Sequence, residues 1–238
     1  ILSTDKRVRL LTDFGPPVGG IVSWGDDSPF VQAGTDFLHH ELHVECWMRS
    51  RQHIDSSIAE CNAGTVRRDM VSWTTTGFYN HCALSDLQAM IPLEDPVGML
   101  ASWRQQIQVY PPRLRRAIIQ QHVQAAAFWP ANFHYSSAVE RTDVIYTTGI
   151  VQQVLHNMVQ VLFALNEVYF PGDKKVALAL GALRSIPDGF VERMLDLLAP
   201  GQSLHVDVLR AQQQALQVLL AEIQGLVEDA GFAQAVRP

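Results

Sequence analysis

The densest run of metal-ligating side chains in the sequence is His39-His40-Glu41-Leu42-His43. A zinc protease needs His-Glu-x-x-His, so that two imidazoles lie four residues apart on one helical face. Here His40-Glu41-Leu42-His43 is one residue short. His39 and His43 have the right separation, but the glutamate is misplaced and the chain runs on as a strand pattern, so a metalloprotease is not expected. The sequence also lacks Gly-x-Ser-x-Gly, Gly-x-Gly-x-x-Gly and Gly-x-x-x-x-Gly-Lys-Ser/Thr, which removes support for an α/β-hydrolase, a dinucleotide fold and a phosphate loop.

Two other places carry usable chemistry. Leu42 to Met48 alternates with period two, which puts Leu42, Val44, Cys46 and Met48 on one strand face and His43, Glu45 and Trp47 on the other. The Glu45 carboxylate therefore points away from the apolar face, either to solvent or into a cleft shared with His43 and Trp47. Lys174 and Lys175 follow Pro171-Gly172-Asp173 at a predicted helix start. Cations there oppose the helix dipole, and the placement makes sense if an anion is bound between them and the free N–H groups. A solvated helix start is the other reading.

The chain around these residues has ordinary globular proportions: 238 residues, 47% hydrophobic and 18% charged. That is enough for one large core or two modest ones. A net charge of −6 without a basic run is unsuited to gripping a phosphate backbone, so no nucleic acid partner is expected. Cys46, Cys61 and Cys82 are odd in number and show no Cys-x-x-Cys spacing, which predicts reduced thiols in a cytoplasmic setting. Apolar stretches such as Ile150–Leu165 are interrupted by Gln152, Gln153, His156 and Asn157. They fall short of the roughly 20 apolar residues of a membrane span, and no signal peptide pattern stands at Ile1.

The pattern changes near Pro111-Pro112. Before it, the turn sequences Gly15-Pro16-Pro17, Gly19-Gly20 and Gly25–Pro29 separate short strands predicted at Ile21–Trp24, Leu42–Met48 and Met90–Leu93. After it the period is helical. One helix carries Leu114, Ile118, Val123 and Ala126, and a stripe from about Ala138 to Tyr169 predicts a second, long one. Shorter helices are predicted over Lys174–Leu183 and Asp188–Leu198. A final helix is capped by Ser203, with Val208, Leu216, Leu219, Ile223, Leu226 and Val227 as its stripe, and its apolar face could make a homodimer contact. The predicted fold class is α+β: a small mixed-sheet part over residues 1–110, then an all-α domain of about five helices over 111–238.

Asp95-Pro96-Val97-Gly98, Tyr110-Pro111-Pro112-Arg113-Leu114-Arg115, Arg141-Thr142-Asp143 and the run from Phe163 to Lys174 occur in one order over roughly Leu93 to Leu198. In that order and spacing the chain resembles bacterial nucleotidyltransferases of the polymerase-β superfamily with a helical C-terminal domain. The resemblance implies a nucleotidyltransferase-like N-terminal part and a Mg²⁺-dependent enzyme. Its reaction would transfer a nucleoside monophosphate from a nucleoside triphosphate to a hydroxyl of a small-molecule acceptor. By the same resemblance Glu45 is the third catalytic acid, a metal ligand or the base for the acceptor hydroxyl. Arg141, Lys174 and Lys175 reach phosphates, Asn166 and Tyr169 support sugar or base, and Asp143 orients Arg141. The Gly-Ser turn and Asp-x-Asp/Glu strand of the family are not found in the sequence, and Asp36-Phe37-Leu38 lacks the second acid. An inactive relative, binding nucleotide or a protein partner, is the alternative function.

Overall fold

The computed structural model describes residues 3–12, 22–23, 28–72, 74–201 and 203–236. It is an α+β fold with a small N-terminal sheet and a larger helical body. The helix α1 (Thr4–Thr12) is followed by β1 (Val22–Ser23), β2 (Ala33–His39) and β3 (Leu42–Met48), which pair antiparallel in the order β1-β2-β3. Helix α2 (Arg51–Ala63) leads to a two-stranded hairpin, β4 (Arg68–Asp69) and β5 (Phe78–Tyr79). Then come α3 (Cys82–Ala89), α4 (Met99–Gln106), α5 (Pro112–Phe128), α6 (Phe133–Glu140) and α7 (Val144–Leu165). The described chain closes with α8 (Val176–Leu180), α9 (Phe190–Leu198), α10 (Val206–Asp229) and α11 (Ala233–Val236).

The register of β2 and β3 follows from their turn. His40 and Glu41 both have positive φ (45° and 68°), as a two-residue hairpin turn matching the right-handed strand twist requires. Counting outward from it, His39 faces Leu42, Leu38 faces His43, Phe37 faces Val44 and Asp36 faces Glu45. The histidine-rich run is therefore a hairpin tip. His39 and His43 sit on different strands and opposite faces, which removes the helical zinc geometry altogether.

Helix ends explain the shape of the body. Four helices close with paired bonds in which one residue at the helix end donates to the carbonyl three back and the next to the carbonyl five back: α2, α6, α7 and α10. The residue that takes the left-handed conformation in each is Gly64, Thr142, Glu167 and Gly231. At Gly64 a side chain would also crowd the Arg113 backbone, 3.1 Å from the Cβ position, because α2 packs directly on α5.

One buried apolar cluster runs from Ile54 on α2 to Ala235 on α11 and crosses Pro111 without a break. It centres on α7, where Val154, Met158, Val161, Leu162 and Ala164 are wholly buried, and α5 is the main partner. Ala33 and Phe37 of the small sheet, and Val31 just before it, are buried outside it.

Several expectations are corrected. Met90–Leu93 is not a strand but an irregular segment, since Pro92 denies it a ladder donor and none of the described strands pairs with it. The stripe from Ala138 to Tyr169 is two helices broken at Thr142. The helix expected over Lys174–Leu183 shrinks to Val176–Leu180, and Ser203 does not cap α10, whose cap position is His205. Seven helices follow Pro111 among the described residues, and α2, α3 and α4 precede it where strands and loops were expected. Leu216, Leu219, Ile223 and Val227 of α10 are buried against the chain's own helices, so this stripe is not a free subunit face. Val22–Ser23 is a strand as expected; the turns at 15–17 and 19–20, and residues 25–27, lie outside the described residues. Among the described residues no helix is long and apolar enough to cross a membrane.

Candidate functional site

A groove of about 800 Å³ opens between β3, the start of α2, the end of α3 and α4. Glu45 and Trp47 reach it from β3, as the alternation of that strand predicts. Asp36, directly across the ladder from Glu45, shares its face, so two carboxylates stand as a cross-strand pair beside the groove. His43 lies beside Asp36 on the same face, Nε2 to Oδ2 at 3.6 Å. Glu45 is exposed and has no cationic partner among the described residues.

The groove's inner wall is fixed by paired groups. Arg49 donates to Asp86 Oδ2 at 2.6 Å, and its guanidinium lies 4.3 Å over the Phe30 ring. Phe30 in turn meets Trp47 edge-on at 4.8 Å and Phe78 at 4.6 Å. Arg51 pairs with Asp55, whose second oxygen accepts from Trp103 Nε1 at 2.8 Å.

The outer lip is the irregular segment after α3. Arg104 donates to the carbonyls of Leu87, Gln88 and Met90 and so holds the lip's start. Asp95 holds its end by accepting from the Ala101 backbone N–H, which keeps the Asp95 carboxyl below the usual range.

The other residues implied by the resemblance do not converge on this groove. Arg141 ends α6 and donates to Ser137 Oγ; Asp143 does not orient it, because its carboxylate caps α7 by accepting from Tyr146 N. Both sit at the N-terminal end of a 22-residue helix whose C-terminal end carries Asn166. At about 1.5 Å per residue the two ends are on the order of 30 Å apart, so Arg141 and Asn166 cannot hold one nucleotide together. Asn166 donates to the carbonyls of Leu162 and Ser185 and accepts from the N–H groups of Arg184 and Ser185. That uses every hydrogen-bonding position of its amide and leaves none for sugar or base. Tyr169 is 2% exposed, donates to Ile107 O and stacks on Tyr110, as a core residue.

Lys174 and Lys175 are exposed and free of carboxylate partners among the described residues. Lys175 occupies a left-handed position (φ 58°) ahead of a five-residue helix, too short to gather a useful dipole. The segment is tied down just before them, where Asp173 accepts from both N and Oγ1 of Thr75 at 2.6 and 2.7 Å. Thr75 belongs to the β4–β5 connection, and Phe78 of that hairpin touches Phe30, which touches Trp47. Asp173, next to the lysines, and Trp47, next but one to Glu45, thus both meet this hairpin, Asp173 directly and Trp47 through Phe30.

Sequence reasoning missed Arg49, Asp86 and Trp103, and set Asp36 aside because Asp36-Phe37-Leu38 lacks a second acid. Asp36 was legible in principle, since a two-residue turn at His40-Glu41 fixes its pairing with Glu45. That turn carries neither Asn nor Gly at its centre, so the usual signal was missing.

A family model described as a domain of unknown function, DUF4037, matches residues 80–175, less than half of the 238-residue chain. The matched span includes Asp86, the groove's lip, Asn166, Tyr169 and both lysines, and stops short of β3. No curated protein matches the chain.

Proposed function

We propose that this chain serves transfer of a nucleoside monophosphate from a nucleoside triphosphate to a hydroxyl of a small acceptor, with Glu45 at the reacting centre. The observation that carries the reading is the Glu45–Asp36 pair at the edge of a groove large enough for a small molecule. The resemblance of residues 93 to 198 supports it. In the reaction the acceptor hydroxyl oxygen bonds to the α-phosphorus, the bond from phosphorus to the pyrophosphate oxygen breaks, and the hydroxyl proton passes to a Glu45 carboxylate oxygen. Lys174 and Lys175 supply free cations for the phosphates. Arg141, Asn166, Tyr169 and Asp143 drop out of the site because the fold occupies or separates them.

Asp36 and Glu45 are a hard-oxygen donor set that fits Mg²⁺, an ion held by one or two carboxylates together with substrate phosphates. When bound there it would neutralise phosphate charge. Among the described residues no group of three or more His, Cys, Asp or Glu side chains is gathered to hold a metal without substrate. That favours, as the second reading, a relative that binds nucleotide without turning it over.

Calorimetric titration with each of the four nucleoside triphosphates, with and without Mg²⁺, tests both. The expected result is binding of at least one triphosphate that Mg²⁺ strengthens, and that Glu45→Gln and Asp36→Asn each weaken about tenfold, or 1.4 kcal/mol. Glu45 is exposed, so the fold survives the substitution. Unchanged Mg²⁺-dependent binding in Glu45→Gln removes Glu45 from the site. Binding without pyrophosphate release across a panel of hydroxyl acceptors selects the second reading.

A further inference from the structure

The groove's lip displays side chains that the fold does not need. Ile91 is 82% and Leu93 94% exposed, although the segment bearing them is clamped at both ends by Arg104 and Asp95. An apolar side chain on a mobile loop is ordinary, but apolar side chains held outward beside a groove by side-chain-to-backbone bonds form a prepared surface. Across from them, Trp47 is 42% exposed, and Trp103 has its indole N–H already satisfied by Asp55, so both offer apolar ring faces.

The charges point one way. The groove's two arginines are already matched, Arg49 by Asp86 and Arg51 by Asp55. Glu45 and Glu94 line the same groove with no cationic partner among the described residues, and Asp95 adds a third carboxylate at its rim. The groove therefore combines apolar walls with an excess of negative charge.

We infer that the groove binds an amphipathic cation: an acceptor with an aromatic or aliphatic body against Ile91, Leu93 and the tryptophans, and an amine facing Glu94. This deepens the transfer reading, on which it rests for the word acceptor, and sets the acceptor's class apart from an uncharged sugar or an acid. Cation–π contact with a tryptophan face would add to the preference.

Three matched probes test it without nucleotide or metal: 4-(2-aminoethyl)phenol, its neutral analogue 4-(2-hydroxyethyl)phenol and its acidic analogue 3-(4-hydroxyphenyl)propionate. Binding is read by tryptophan fluorescence and calorimetry. The expected result is that the amine binds in about the millimolar range or tighter, as suits a ligand of its size, with the neutral and acidic analogues at least several-fold weaker. Ile91→Ser with Leu93→Ser should weaken the amine about tenfold, and Glu94→Gln several-fold. These side chains are exposed, and unchanged circular dichroism and melting establish that the variants fold. Equal binding of all three probes, no binding of the amine, or indifference to the Ile91/Leu93 pair overturns the inference. Amine binding in a protein that binds no triphosphate keeps the inference and discards the transfer reading.

Discussion

Asn166 has four hydrogen-bonding positions, and the loop that returns from α8 takes two of them with backbone N–H groups and a third with the Ser185 carbonyl. The side chain works as a clip between the end of α7 and residues 184–185. Asn166→Ala removes the partner of two backbone donors and of the Ser185 carbonyl, at an exposed loop that water reaches, and should lower unfolding stability by about 1 kcal/mol while leaving nucleotide binding intact. Urea denaturation together with nucleotide titration checks both halves. A loss of nucleotide affinity without loss of stability would return Asn166 to the ligand. Residue type alone could not separate the two roles, because an amide near a helix end suits either. Glu45 was legible for a different reason: an exposed strand face is set by alternation alone, so only its partner, Asp36, required the hairpin register.

At the scale of elements, the end of α10 was legible: Gly231 marks it, where the left-handed residue has no side chain to strain. The break between α6 and α7 uses the same pair of closing bonds but places Thr142 in the left-handed position at φ 55°. A β-branched residue there gives no warning, and the apolar spacing from Ala138 to Val151 runs straight through. Glu167 at φ 56° is offset by its ion pair with Arg115 at 3.0 Å, whereas exposed Thr142 has no side-chain bond among the described residues to set against the strain. Thr142→Gly should therefore stabilise the protein, by about 0.5–1 kcal/mol after the extra backbone entropy of glycine is counted. A melting temperature equal to or below that of the parent would show that the turn is not strained. The same reasoning explains why α3 and α4 escaped notice. Each is eight residues long, too short for a helical period to separate from alternation.

For the molecule as a whole, one cluster of buried polar groups carries the largest electrostatic consequence. Tyr79, wholly buried, shares a hydrogen bond with His156 Nε2 at 2.9 Å, and the rings of His81 and His122 lie within 6 Å of it. Gln160 and Asn157 on α7 hold His81 and His122. Burial pushes His81 down to about 3, His122 to about 4 and His156 to about 3, with Arg68 adding to the last two; Asp173, the Asn157 bond and the Gln160 bond act in the opposite direction. These imidazoles stay neutral in the folded chain but titrate near 6.5 once it unfolds. Below pH 6.5 the unfolded state therefore holds more protons, and stability falls with pH at ~1.4 kcal/mol per pH unit for each imidazole. Urea midpoints should be flat above pH 7 and drop steeply between pH 6 and 4.5; a midpoint constant across that lower range would contradict the burial of the three rings.

That cluster also joins the two sides of Pro111, since Tyr79 and His81 come from one and His122 and His156 from the other. The consequence concerns how the chain can be divided. A cut at residue 110 would leave each piece with half of a shared interior, neither able to cover its own apolar surface. Pieces 1–110 and 111–238, expressed apart, should be insoluble or molten. Mixed, they should reassemble into one folded particle, as a complementing pair rather than as two domains.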